Sequence, residues 1–251
     1  MPFTYPWERE NQNENKFMRL TKGRLILSLI LLILIADQIL KFWIKTNMAL
    51  GDEFRIIGNW FIIHFVENNG MAFGFEFAGE YGKMFLSIFR IIAVTVIGWY
   101  LFRLVRKQES TGFLVSVALI FTGAMGNIID SAFYGMIFDH SYGQVAAFMP
   151  EGGGYSSFLH GKVVDMFYFP IINTTIPEWF PFWAGEEFIF FRPVFNIADS
   201  SITIGIFIIL LFYRHHFDSH QEEGKEQPEE SRNAAEEDRE LKSTEENAGN
   251  A

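Results

Sequence analysis

The chain contains no cysteine in 251 residues. That absence excludes disulfides, a thiol nucleophile, thiolate metal sites and acylation at cysteine, and leaves the compartment open. Other chemistries are poorly supplied too. The six histidines, His64, His140, His160, His215, His216 and His220, form no HExxH, so no metal site is expected. No GxSxG is present, and Ser200 and Ser201 have no evident histidine to activate them. The three glycines at 152–154 lack the Lys-Ser/Thr of a phosphate loop and read as a flexible turn. Nor is there a basic stripe that would hold nucleic acid.

What the chain has in quantity is apolar surface. Hydrophobic residues make up 49%, aromatics 17%, and phenylalanine alone occurs 29 times, a composition that points to a membrane protein with a polar appendage. The net charge of −10 sits mostly in that appendage: residues 218–251 hold 12 acidic and 4 basic residues. With almost no apolar content, residues 216–251 cannot bury enough surface to offset the entropy of ordering, so a disordered acidic tail is expected there.

A membrane helix needs about 20 apolar residues to cross about 30 Å of hydrocarbon. Four segments come close, at about 25–44, 84–102, 113–129 and 195–213, and no internal repeat relates them. The first follows a basic segment, residues 1–24, as a signal peptide would. Its apolar run nevertheless continues to Trp43 and Lys45 without a small-residue cleavage site, so it reads as a retained span. Lys and Arg set the orientation. Arg9, Lys16, Arg19, Lys22 and Arg24 precede the first span, and Arg103, Arg106 and Lys107 lie between the second and third. Those sides are expected to be cytoplasmic, together with both termini, while the long loops at 45–84 and 132–195, poor in basic residues, face outward. The outer run FRIIGNWFIIHF at 54–65 suggests strands or an interfacial element, and the Gly- and aromatic-rich second loop suggests a folded cap. The fold class is thus an integral membrane protein, mainly α. It has four transmembrane helices in residues 25–215 and a small extracytoplasmic β-like cap.

Polar residues inside apolar spans each need a reason, because a charge near the bilayer centre costs about 2.5–3.5 kcal/mol on insertion scales. Asp37, Gln38 and Lys41 in the first span, Arg90 in the second, Asn127 and Asp130 in the third, Asn196 and Asp199 in the fourth and Asp165 before it all fall near the outer face. Asp37 and Lys41 are four apart on one helix face and read as a structural ion pair. Arg90 reads as snorkelling to the interface. Asn127 and Asp130, three apart, read as local support. Asp165 and Asp199 stand among apolar or small residues with no basic neighbour in sequence. Brought together they would share a proton, as aspartic-type hydrolysis requires. The residues alone leave that reading and a small transporter or proton/ion relay both open. Asp139, in the polar stretch IFDHSYG, is an alternative acid.

Four blocks, in order, resemble the signal peptidase II family, the lipoprotein signal peptidases among bacterial aspartyl membrane proteases. Asp37-Gln38-Ile39-Leu40-Lys41 resembles D-Q-x-x-K, and Asn68-Asn69-Gly70-Met71-Ala72-Phe73 resembles N-x-G-x-A-F. Gly126-Asn127-Ile128-Ile129-Asp130 and Gly161-Lys162-Val163-Val164-Asp165-Met166 resemble the split G-N-x-x-D and G-x-V-V-D-F block. Phe195-Asn196-Ile197-Ala198-Asp199-Ser200-Ser201-Ile202 resembles F-N-x-A-D-x-x-I. The resemblance covers about residues 20–215. It implies Asp165 and Asp199 as the catalytic pair, with Asp37, Lys41, Asn68, Gly70, Ala72, Phe73, Asn127, Asp130, Asn196 and Ala198 binding substrate or supporting the site. It implies no metal or organic cofactor. The implied partners are a prolipoprotein carrying diacylglyceryl on its lipobox cysteine, cleaved just before that residue, and the lipids of the bacterial inner membrane. Globomycin is the implied inhibitor. The sequence sets no oligomeric state, and a monomer is compatible with it. Three departures stand out: Ser131 where the family usually has Arg, Met166 for Phe, and inserts at about 131–160 and between Asp165 and Asp199.

Overall fold

Residues Pro6–Asn47 form one continuous helix, α1, because from Arg24 onward the chain is rich in Leu and Ile and free of Gly and Pro. The expected first span lies inside it, and the helix also runs back through most of the basic N-terminal segment. The computed structural model describes residues 6–69, 79–179, 182–183, 185–190 and 192–214. Gly70, Ala72 and Phe73 of the expected substrate loop, and the acidic tail expected from 216, lie outside the described residues.

A hairpin follows, β1 (Glu53–Ile57) and β2 (Phe61–Asn68), from the segment whose β-branched and aromatic density suggested strands. Helix α2 (Gly79–Lys107) leads to α3 (Thr111–Ile129), whose first turn is capped by Ser110 accepting from Phe113 N at 3.4 Å. A five-residue π-turn, Asp130–Tyr134, carries α3 into the single turn α4 (Gly135–Ile137). Strand β3 (Val163–Tyr168), the hairpin of β4 (Ile172–Thr175) and β5 (Glu187–Phe190), β6 (Val194–Phe195) and α5 (Ile197–Phe212) complete the order.

Three stretches, Thr21–Asn47, Met84–Lys107 and Thr111–Ile137, are long and apolar enough to cross a membrane. The expected fourth span is shorter: α5 has 16 residues, about 24 Å at 1.5 Å per residue against about 30 Å of hydrocarbon. The described residues therefore hold three membrane-length helices and one shorter apolar helix. By contacts the chain divides into two units, Met1–Ile206 and Phe207–Ala251, and the described part of the second is the end of α5 and the turn after it.

Helix α3 packs against both α1 and the start of α5 through small residues. A Cβ at Gly123 would collide with the carbonyl oxygen of Ala198, and one at Gly126 would stand 2.8 Å from Asp37 Oδ2. Gly123 thus lets α3 approach the backbone of α5, and Gly126 leaves room for the Asp37 carboxylate from α1.

The main sheet is antiparallel in the order β1-β2-β3-β6, while β4 and β5 form a separate two-stranded ribbon. In the β2–β3 register Val66 faces Asp165, Glu67 faces Val164 and Asn68 faces Val163. Successive side chains alternate, so Asn68 and Asp165 share one face, and Glu67, Val164 and Met166 share the other. That second face is covered. Phe65, Val164 and Met166 are fully buried against Ile44 of α1 and against Tyr134, Phe138 and Ala146. The insert at 131–160 supplies part of the backing of the sheet. It also closes on itself: Gly161 N donates to Ser131 O at 2.8 Å, so the two halves of the split motif meet although about thirty residues separate them. Met166 fills this core as an apolar residue of similar size to Phe.

Candidate active site

Asp199 lies in the first turn of α5, placed there by a reciprocal cap. Asn196 Oδ1 accepts from Asp199 N at 2.8 Å, and Asp199 Oδ2 accepts from Asn196 N at 3.4 Å. The same Asn196 side chain, fully buried, donates from Nδ2 to Asp165 Oδ1 at 2.7 Å and lies 3.1 Å from Asn127 Oδ1. Asn127 Nδ2 in turn donates to Asp199 Oδ1 at 2.7 Å. An amide chain, Asp165–Asn196–Asn127–Asp199, therefore joins a carboxylate on a strand to one on a helix. Asn68 Nδ2 reaches the other oxygen of Asp165 at 3.3 Å.

Asp165 is 3% exposed. Burial, followed by the negative field of Asp199, raises its pKa from 3.8 to about 7, against the hydrogen bonds from Asn68 and Asn196 that favour the charged form.

Behind this pair lies a second polar cluster of different make-up. Lys41, fully buried, sits 2.9 Å from Asp37 Oδ2, 2.8 Å from Asp130 Oδ2 and 3.0 Å from Asn127 Oδ1. The expected pairing of Asp37 with Lys41 is present, and Asp130 joins it. Asp37 Oδ1 also accepts from Ala198 N at 3.0 Å, so the carboxylate holds the start of α5 as well as the lysine. Asp130 Oδ2 accepts from Val164 N at 3.3 Å, which ties the cluster to the residue beside Asp165.

Of the residues read from the sequence, Asp37, Lys41, Asn68, Asn127, Asp130, Asp165, Asn196, Ala198 and Asp199 are brought together here. Gly70, Ala72 and Phe73 lie outside the described residues. Asp139 does not join the cluster: its carboxylate accepts from Ala147 N at 2.6 Å and from Gln144 Nε2 at 3.3 Å, inside the insert. Ser131 turns its hydroxyl back to Asn127 O at 3.0 Å. Two further side chains, noted in the sequence only as polar residues near the outer face, belong to the arrangement. Gln38 donates to Asp130 Oδ1 at 2.9 Å and to Asp37 Oδ2 at 3.1 Å, and accepts from Tyr134 OH at 3.3 Å. Its adjacency to Asp37 in an apolar helix was the available signal. Arg90, expected to snorkel, is half-buried and its charge acts on both Asp199 and Asp165. A cation on α2 thus faces the acid pair, a relation that sequence spacing does not carry.

Apolar helices of membrane length, with buried acids and amides gathered beside them, define the class: a multi-pass membrane protein. The particular family follows from comparison. The chain belongs to the signal peptidase II family, whose model, Signal peptidase (SPase) II, matches residues 29–214. It is 53% identical over 196 residues to the lipoprotein signal peptidase of Porphyromonas gingivalis, covering 78% of this chain and 85% of that one. It is 38% identical over 184 residues to the lipoprotein signal peptidase of Amoebophilus asiaticus, covering 72% and 74%. A solved bacterial membrane enzyme is 27% identical, covers 76% of this chain and 94% of its own, and superposes with a TM-score of 0.48. The chain is a bacterial membrane protease, a hydrolase that removes signal peptides from prolipoproteins.

Proposed function

We propose that Asp165 and Asp199 are the catalytic pair of an aspartic-type endopeptidase, cleaving diacylglyceryl-modified prolipoproteins immediately before the lipidated lipobox cysteine. The observation that carries this reading is the amide chain between the two carboxylates, with one of them titrating near neutrality. One ionised carboxylate takes a proton from a water molecule, whose oxygen attacks the scissile carbonyl, while the protonated partner hydrogen-bonds the carbonyl oxygen as charge develops there. Collapse of the tetrahedral intermediate breaks the C–N bond, and the proton passes to the leaving amine. The new amine is that of the lipidated cysteine, and the signal peptide leaves with the new carboxylate.

Asn127 and Asn196 orient the pair, Asn68 holds Asp165, and Arg90 limits the cost of the second negative charge. Asp37, Lys41, Asp130 and the Ala198 amide fix the start of α5 against α1 and α3. Gly70, Ala72 and Phe73, which lie outside the described residues, are assigned to substrate contact on the sequence motif alone. Lys and Arg at the helix ends support four spans with both termini cytoplasmic and the site at the outer face of the inner membrane. The acyl chains then stay in the bilayer while the peptide bond reaches the acids. Globomycin is the expected inhibitor.

The test is signal-peptide release on a gel, using a lipidated prolipoprotein and purified wild-type, Asp165→Asn and Asp199→Asn proteins in detergent. Cleavage by the wild type alone, with both variants folded, is expected. Undiminished release by either variant would remove it from the catalytic pair, and ion movement unaffected by prolipoprotein would favour a relay.

A further inference from the structure

Directly behind the strand that holds Asn68 lies a charged cluster with no part in the chemistry above. Glu67 is nearly fully buried and bridges two lysines: Lys45 Nζ at 2.6 Å from Oε1 and Lys162 Nζ at 3.2 Å from Oε2. Lys45, itself fully buried, also donates to Ser141 Oγ at 2.7 Å and lies 5.5 Å from the Phe138 ring centroid and 5.1 Å from that of Tyr155. Lys162 Nζ donates to Tyr142 OH at 2.9 Å, and Lys162 N donates to Tyr155 OH at 2.7 Å. One carboxylate thereby ties together the outer end of α1, strand β2, the insert and the residue leading into β3. The two lysines draw the Glu67 pKa below its usual range despite burial.

The alternation of β2 gives this cluster its reach. Glu67 points to the back of the sheet and Asn68, the next residue, to the front, where it donates to Asp165 Oδ2. Lys162 immediately precedes the paired strand β3, three residues before Asp165. The pin therefore grips both strands, one residue from Asn68 on β2 and three from Asp165 on β3.

We propose that Glu67, held between Lys45 and Lys162, is a positioning residue for the proteolytic site, setting the register and height of Asn68 against Asp165. The inference rests on Asp165 being catalytic. It gives the insert at 131–160 a task, since Ser141, Tyr142 and Tyr155 supply the groups that hold the two lysines. Removing one partner of a buried ion pair leaves an uncompensated charge, so Glu67 and the two lysines are held to an arrangement that keeps them together.

The experiment is the pH dependence of kcat on a diacylated prolipoprotein peptide for wild type, Glu67→Gln, Lys162→Met, Asn68→Ala and the Glu67→Gln/Asn68→Ala double variant, with Asp165→Asn as control. The Asp165 side chain is faced by Asp199 from α5, Lys41 from α1, Arg90 from α2, Asn196 before α5 and Asn68 on β2. Only the last is one residue from the pin. Losing the Asn68 hydrogen bond disfavours the charged carboxylate, so the alkaline limb moves up by roughly half a pH unit. Glu67→Gln is expected to move it in the same direction and lower kcat about tenfold, with KM within about twofold if substrate contacts are untouched. The double variant is expected to move no further than Asn68→Ala. Lys162→Met, which leaves the Lys45–Glu67 pair intact, is expected to give a smaller shift of the same sign and serves if Glu67→Gln does not fold. An unmoved limb, or effects that add to those of Asn68→Ala, would reduce Glu67 to a stabilising role. Cleavage by Asp165→Asn would overturn the catalytic reading and the pin with it, whereas an inactive control beside an unmoved limb would overturn the pin alone.

Discussion

Two groups of carboxylates lie within one side chain of each other and are built on opposite plans. Asp37 and Asp130 surround a buried ammonium, Lys41, at 2.9 and 2.8 Å. Asp165 and Asp199 are instead held by neutral amides, with the charge of Arg90 acting on both and that of Lys41 on Asp165. A carboxylate bonded to a buried cation fixes the elements that carry the two groups. One held by amides beside another acid is free to gain and lose a proton. Asn127 stands at the boundary, accepting from Lys41 through its oxygen and donating to Asp199 through its nitrogen. The cationic cluster therefore sets the orientation of an amide that positions the pair.

The comparison can be broken most forcefully at the pair. Asp165→Asn and Asp199→Asn are each expected to lower kcat by on the order of 10⁴-fold, read as single-turnover cleavage, because the proton exchange has no other carrier at that place. At the cationic cluster the expected effect is on folding. Lys41→Met leaves two buried acids without their cation, and a loss of about 3–5 kcal/mol should appear in denaturant unfolding of the detergent-solubilised protein.

A pH series sharpens the contrast. The Asp165 pKa is raised to about 7 from 3.8, so the folded protein keeps a proton that the unfolded chain loses. Its contribution to stability is favourable at low pH and is lost as pH rises between those values. Asp165→Asn should thus melt progressively higher than wild type as pH rises to neutrality, and wild-type kcat should fall as pH passes about 7. The smallest effect is expected at the helix contact. Gly126→Ala, whose Cβ would lie 2.8 Å from Asp37 Oδ2 and 3.2 Å from Ala198 Cβ, should cost about 1–3 kcal/mol and lower activity only in proportion to misplaced α5.

The acids and amides that the structure brings together were legible because each lies where an apolar chain has no other use for it. Asp37 and Lys41 were paired correctly from helical spacing alone, since three or four residues fix a face. The partners across elements were not readable this way. Nothing in the spacing says that Asn127 bonds Asp199, that Asp130 joins Lys41, or that Arg90 faces the acids, because packing rather than periodicity decides them. The β character of 54–65 was visible in its composition, whereas β3 read only as an apolar run leading to the last helix. Its strand identity comes from pairing with β2, a long-range contact. The insert shows the same limit: its turn residues identify a loop but not the side of the sheet on which it packs.

The most direct measurement sets Asp165→Asn beside Asp130→Asn in one single-turnover cleavage assay, with melting temperature followed on the same samples. The expected result is a folded Asp165→Asn protein that does not cleave and an Asp130→Asn protein that melts lower yet still cleaves. Cleavage by Asp165→Asn, beside a fully stable Asp130→Asn that is inactive, would place the chemistry in the cationic cluster and contradict the division of the two acid groups.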